Sequence, residues 1–121
     1  MSGTFNSIRI DRSNVGVVNT GSIQSVQVSL AGIQQGGNAE LAAALKQLTE
    51  AVINSTELEA ARKNDAVQML ETVAADAARP KDQRRPAAMR AVLAGFAETI
   101  KVGASLAALW ERLAPIVLNA F

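Results

Sequence analysis

Residues 14–30 read NVGVVNTGSIQSVQVSL, and the interpretation of this stretch decides the fold of the whole chain. Apolar and polar residues alternate along it, and Asn19, Thr20 and Gly21 place a turn signal near its middle, as in a β-hairpin. In the second arm Val26, Val28 and Leu30 share one face of a strand, while Ser25, Gln27 and Ser29 share the other. Gly21 suits the left-handed position that closes a short loop with a bulge, and Ile23, out of phase with Val26, fits such an irregularity. The expected ribbon thus presents Val15, Val17, Val18, Ile23, Val26 and Val28 on its apolar positions, with SIRIDR at residues 7–12 as a third strand where one forms. No lysine or proline guards its edges, and an isolated ribbon is marginal in water, so it needs helices or another chain to pair with. NVGVV is followed directly by NTGSI, a twofold N-x-G-x-[V/I] repeat. Two copies are too few to stack within one chain, and two adjacent turn signals are the plainer reading.

Outward from the ribbon, AGIQQGG at residues 31–37 reads as a glycine-bearing linker and a boundary. Residues 1–36 are then ribbon and linker, and residues 37–121 a helical bundle. Asn38 is placed to cap a helix over about residues 39–54, whose Leu41, Leu45, Leu48 and Val52 form a narrow apolar seam. A second helix is expected over about residues 57–78, with Leu58, Ala66, Met69, Leu70, Val73 and Ala77 inward. RPKDQRRP at residues 79–86 breaks it with two prolines and four basic residues. A third helix over about residues 87–101 turns Val92, Leu93, Phe96 and Ile100 inward, and Gly103 interrupts the pattern. The last segment carries Leu106, Leu109, Trp110, Leu113, Ile116 and Val117 at helical spacing, with Pro115 expected to bend it. Phe96 and Trp110 are the aromatic candidates for the core. The fold class expected is α+β: a short antiparallel ribbon followed by three or four α-helices.

Composition narrows the chemistry. The 121 residues include no histidine, cysteine or tyrosine, which removes the usual zinc, haem and iron–sulfur ligands, the commonest general base and any thiolate nucleophile. Glu57 with Glu59 and Asp65 with Glu71 are the available carboxylate pairs, and their polar helical setting reads as a solvated face. No enzyme, cofactor or metal is expected. The start, MSGTFNSIRIDRS, lacks the pattern of a signal peptide, and no uncharged apolar run approaches the ~20 residues of a spanning helix. A cytoplasmic protein is expected, and the missing cysteines agree with a reducing compartment.

Alanine supplies 23 of the residues, so the helices can pack closely, yet each buries little apolar area and oligomerisation is a natural remedy. Net charge is +1, but it is segregated: residues 37–78 carry three basic and seven acidic groups, and residues 79–121 seven basic and three acidic groups. Intramolecular complementarity is the plainer meaning, and pairing between subunits the sharper one.

NVGVVNTGSI, then ALKQLTEAV, then RPKDQRRP leading into LAALWERLAPIV, is an order of segments that resembles a small, widespread and largely uncharacterised family of bacterial proteins. The resemblance covers nearly the whole chain from residue 14 onward. It implies a bacterial cytoplasmic setting and a two-part architecture, and carries no site residue.

Three features are candidates for function. The basic loop Arg79, Lys81, Arg84 and Arg85 has the charge to hold phosphate, but aromatic residues for base stacking are scarce and Asp82 lies within it, so nucleic acid is not expected as a partner. A salt-bridged or solvated loop is favoured. The C-terminal segment around Trp110 has the apolar residues to meet a membrane interface, yet ordinary burial explains the same pattern. The ribbon, with open edges, is the preferred element. The expected function is a non-enzymatic homo-oligomeric scaffold or adaptor assembled through it, with room for another protein partner. A membrane-acting protein using the C-terminal helices, docking on lipid or forming a pore, is the alternative.

Overall fold

Ile23, Val26, Leu30 and Ile33 recur at steps of three, four and three, the period of one helical face. In the computed structural model, which describes residues 20–121, all four are buried along a helix, α1, Thr20–Gln35. The chain continues as α2 (Ala39–Ile53), α3 (Ala60–Ala77), a 3-10 turn at Lys81–Gln83, α4 (Pro86–Ile100) and α5 (Ala104–Leu118). No strand occurs among the described residues. The expected α+β class is therefore corrected to all-α, and Ile23, Val26 and Val28 are helical rather than ribbon residues. The strand reading placed Val26 and Val28 on one face. The helix separates them, leaving Val26 fully buried and Val28 74% exposed. Gly21 lies within α1 and does not take the expected left-handed conformation. Val15, Val17, Val18 and Asn19, with the SIRIDR segment, lie outside the described residues.

The expected linker is mostly helix. Ala31 to Gln35 complete α1, and the chain turns only at Gly36 and Gly37. Gly37 has φ +93°, the left-handed conformation that a side chain disfavours. Its N–H donates to the Gln34 carbonyl at 3.0 Å, and the Asn38 N–H donates to the Ile33 carbonyl at 3.2 Å. Those crossed bonds satisfy carbonyls at the end of α1 and stop it. Asn38 then begins the next helix, as expected, its Oδ1 accepting from the Leu41 N–H at 3.2 Å.

Around the core, α2 packs on α3, α3 on α4, α4 on α5 and α5 back on α2, while α1 lies against α2 and α3. Residues 20–35 therefore share one core with the helices that follow. Leu41, Leu45, Leu48 and Val52, the expected seam of α2, are all fully buried, as are Leu93, Phe96 and Ile100 of α4. Small side chains allow the close packing. A Cβ added to Gly32 on α1 would stand 3.4 Å from the Ala78 Cβ just after α3. Pro115 sits inside α5 without ending it.

Candidate interaction surface

The outward side of α1 is chemically unlike the rest of the surface. Its sequence, TGSIQSVQVSLAGIQQ, contains no charged residue, whereas each of the other four α-helices carries both acidic and basic groups. Gln24, Ser25 and Val28 are exposed, and Ser29 is half-buried beside them. Val28 is the most exposed large apolar side chain among the described residues. Next to it a groove of about 470 Å³ runs between α1 and α3, lined by Gln24, Ser25, Val28, Ser29, Ala75 and, as its only charged group among the described residues, Glu71. A protruding Val beside a shallow groove gives this face both a knob and a recess.

The basic loop is organised by a residue the sequence did not single out. Asp76, at the end of α3, is buried, and its Oδ2 accepts from the Arg85 backbone N–H at 3.0 Å. Its Oδ1 lies 3.9 Å from Arg79 Nη1. Arg84 turns back, donating from Nε to the Arg79 carbonyl at 3.1 Å and from Nη1 to the Ala120 carbonyl at 3.3 Å. Arg90 on α4 donates to the Phe121 main-chain oxygen at 3.0 Å. Two arginines thus bind main-chain oxygens just beyond the end of α5. Lys81 and Arg85 are exposed.

The same device recurs elsewhere. Lys63 is buried, and its Nζ donates to the Ile53 carbonyl at the end of α2 at 2.9 Å. Burial pulls its ammonium below the ordinary 10.5, because the charged form loses solvation. Arg62 Nη1 reaches the Thr99 carbonyl at the end of α4 at 3.2 Å. None of the five α-helices has a basic residue in its own last turn. The carbonyl ends of α2 and α4 are served by cations of α3 instead. The signal for Lys63 was legible, since it falls in phase with Val67, Leu70 and Ala74 on the buried face of α3.

Of the carboxylate pairs, Glu57 is used for structure: its Oε1 accepts from the Ser105 N–H at 3.4 Å, at the positive end of α5. Glu59 and Asp65 are exposed. No group of three acidic, histidine or cysteine residues able to hold a metal is found among the described residues. Of the two aromatics placed in the core, Phe96 is fully buried, while Trp110 is half-buried and packs edge-on against it, with ring centroids 5.5 Å apart at 74°. Among the described residues no helix is long and apolar enough to cross a membrane. No protein-family model, curated protein or solved structure matches this chain.

Proposed function

We propose that this protein is a non-enzymatic scaffold or adaptor that self-associates, and that the outward face of α1 is where a second copy docks. The observation that carries this reading is the absence of charge along α1 beside an exposed Val28. The centre of a protein interface is depleted of charged groups. A two-fold contact sets the same patch against itself, so a charged face would repel its copy and a neutral one does not. The knob of Val28 and the groove beside it supply matching relief. The non-enzymatic part rests on a sequence without histidine or cysteine.

Analytical ultracentrifugation of the full chain tests it. The parent protein should sediment as a dimer or larger species at micromolar concentration. Val28→Glu should shift it toward monomer without changing helical circular dichroism, because a side chain 74% exposed adds little to the fold. A parent that stays monomeric at tens of micromolar, or a variant that assembles as well as the parent, overturns the proposal. Flotation with liposomes is the companion measurement, and assembly that occurs only on lipid would favour a membrane-acting protein instead.

A further inference from the structure

We infer that the cleft between the α1–α2 turn and the basic loop is a binding site for a compact phosphate-bearing anion. The cleft measures about 540 Å³, within the range of small-molecule sites. Arg79, Lys81 and Arg84 line one side, the Gly36–Gly37 turn with Asn38 lines the other, and none of the described lining residues is acidic. That distinguishes it from the neighbouring groove between α3 and α4, where Glu71 and Asp76 stand beside Arg79 and Arg85. Three like charges gathered around one space repel one another. Of the three, Arg79 has a carboxylate nearby, Asp76 at 3.9 Å, but neither Asp76 nor Asp82 is part of the lining.

One of the charges is also ordered without being neutralised. Arg84 is held by two main-chain carbonyls, of Arg79 and Ala120, so its guanidinium is fixed in place and keeps its full charge. Arg79 has only a long ion pair, 3.9 Å, and its side chain is half exposed. Lys81 is exposed at the rim. A fixed guanidinium with two adaptable cations suits a tetrahedral dianion, which accepts several charge-assisted hydrogen bonds at once. The apolar lining is Ile33, Ala77, Ala78 and Pro80, with no aromatic ring among the described residues for a base to stack on. The ligand class is therefore a phosphate monoester or a diphosphate rather than an oligonucleotide.

Isothermal titration calorimetry of the full chain with pyrophosphate at low ionic strength tests this, in parallel with flotation of phosphatidylcholine vesicles with and without phosphatidic acid. One pyrophosphate should bind per chain, and affinity should fall as sodium chloride is added. Lys81→Glu and Arg79→Gln should each weaken binding about tenfold or more, the loss of one charge-assisted contact. Circular dichroism should not change, and Val28→Glu should bind like the parent. Vesicle binding that requires phosphatidic acid and is displaced by pyrophosphate identifies a lipid headgroup as the source, and pyrophosphate binding alone identifies a free metabolite. The inference is overturned if neither pyrophosphate nor the vesicles bind, if both variants bind like the parent, or if only an oligonucleotide binds.

Discussion

Lys63 shows how a single charged residue can be worth keeping inside a bundle. Its ammonium loses solvation, but it meets the carbonyl of Ile53, which α2 leaves without an intrahelical donor. Lys63→Met should therefore cost roughly 1–3 kcal/mol at neutral pH, as a carbonyl loses its charged donor. The pH dependence has a definite sign. The folded chain holds this proton less tightly than the unfolded chain, whose lysine titrates near the ordinary 10.5. Stability from this group is thus fully present above that value and is lost as pH falls through the lowered folded pKa. The stability gap between parent and Lys63→Met, measured by thermal melts in stepped buffers, should widen as pH rises toward 10.5. A gap that is flat or narrows would count against the assignment. Gly21 offers a second test at this scale. In a left-handed hairpin position, alanine would cost about 1 kcal/mol; at its place in α1, Gly21→Ala should instead leave stability unchanged or raise it by up to about 1 kcal/mol in urea titrations.

At the scale of the element, α1 is a helix that its own sequence favours weakly. It contains β-branched residues, serines and two glycines, and no side-chain charge assists either end. What it gains is burial of Ile23, Val26, Leu30 and Ile33 against α2 and α3, and such packing outweighs intrinsic propensity. A separable ribbon could be removed without harm to the helices. Deleting residues 1–33 should instead expose the α1-facing sides of α2 and α3, giving a chain that aggregates or melts without cooperativity in circular dichroism. A truncated chain that melts as sharply as the parent would show that α1 is dispensable to the core. The ambiguity of this element was physical. Val26, Val28 and Leu30 satisfy a strand's period of two, while Ile23, Val26, Leu30 and Ile33 satisfy a helix's period. The phase break at Ile23 fits a bulge in a strand, and it fits the longer period of a helix without any irregularity.

Across the whole molecule, the aromatic pair ties α4 to α5. Phe96 lies at the centre of the core and Trp110 covers it from the side. Phe96→Ala should cost about 3–5 kcal/mol, enough to unfold a marginal domain. Trp110→Ala should cost distinctly less, since the indole is only half-buried. Trp110 emission in buffer should fall between that of a buried and a solvated indole and stay unchanged on adding anionic liposomes. A blue shift produced by the liposomes would mean that α5 leaves the bundle for lipid. The segregation of charge has an answer at this scale too. Of the basic excess after residue 78, Arg84 and Arg90 go to main-chain oxygens of Ala120 and Phe121, while Arg79 faces Asp76 of the acidic half at 3.9 Å.

By itself the sequence determined that residues after 37 form a helical bundle, of three or four helices, because their apolar seams repeat at a helical period, and Asn38 marked where the first begins. It also determined which side chains are missing, histidine, cysteine and tyrosine, since residue types can be counted without a fold. Only the tertiary structure decided α1, where two periods coincide and the choice falls to whichever face finds a partner. It alone placed the long-range polar contacts, such as Lys63 on Ile53, Asp76 on Arg85 and Arg84 on Ala120. Those depend on helix ends brought together by packing, and nothing in local residue spacing encodes such a meeting.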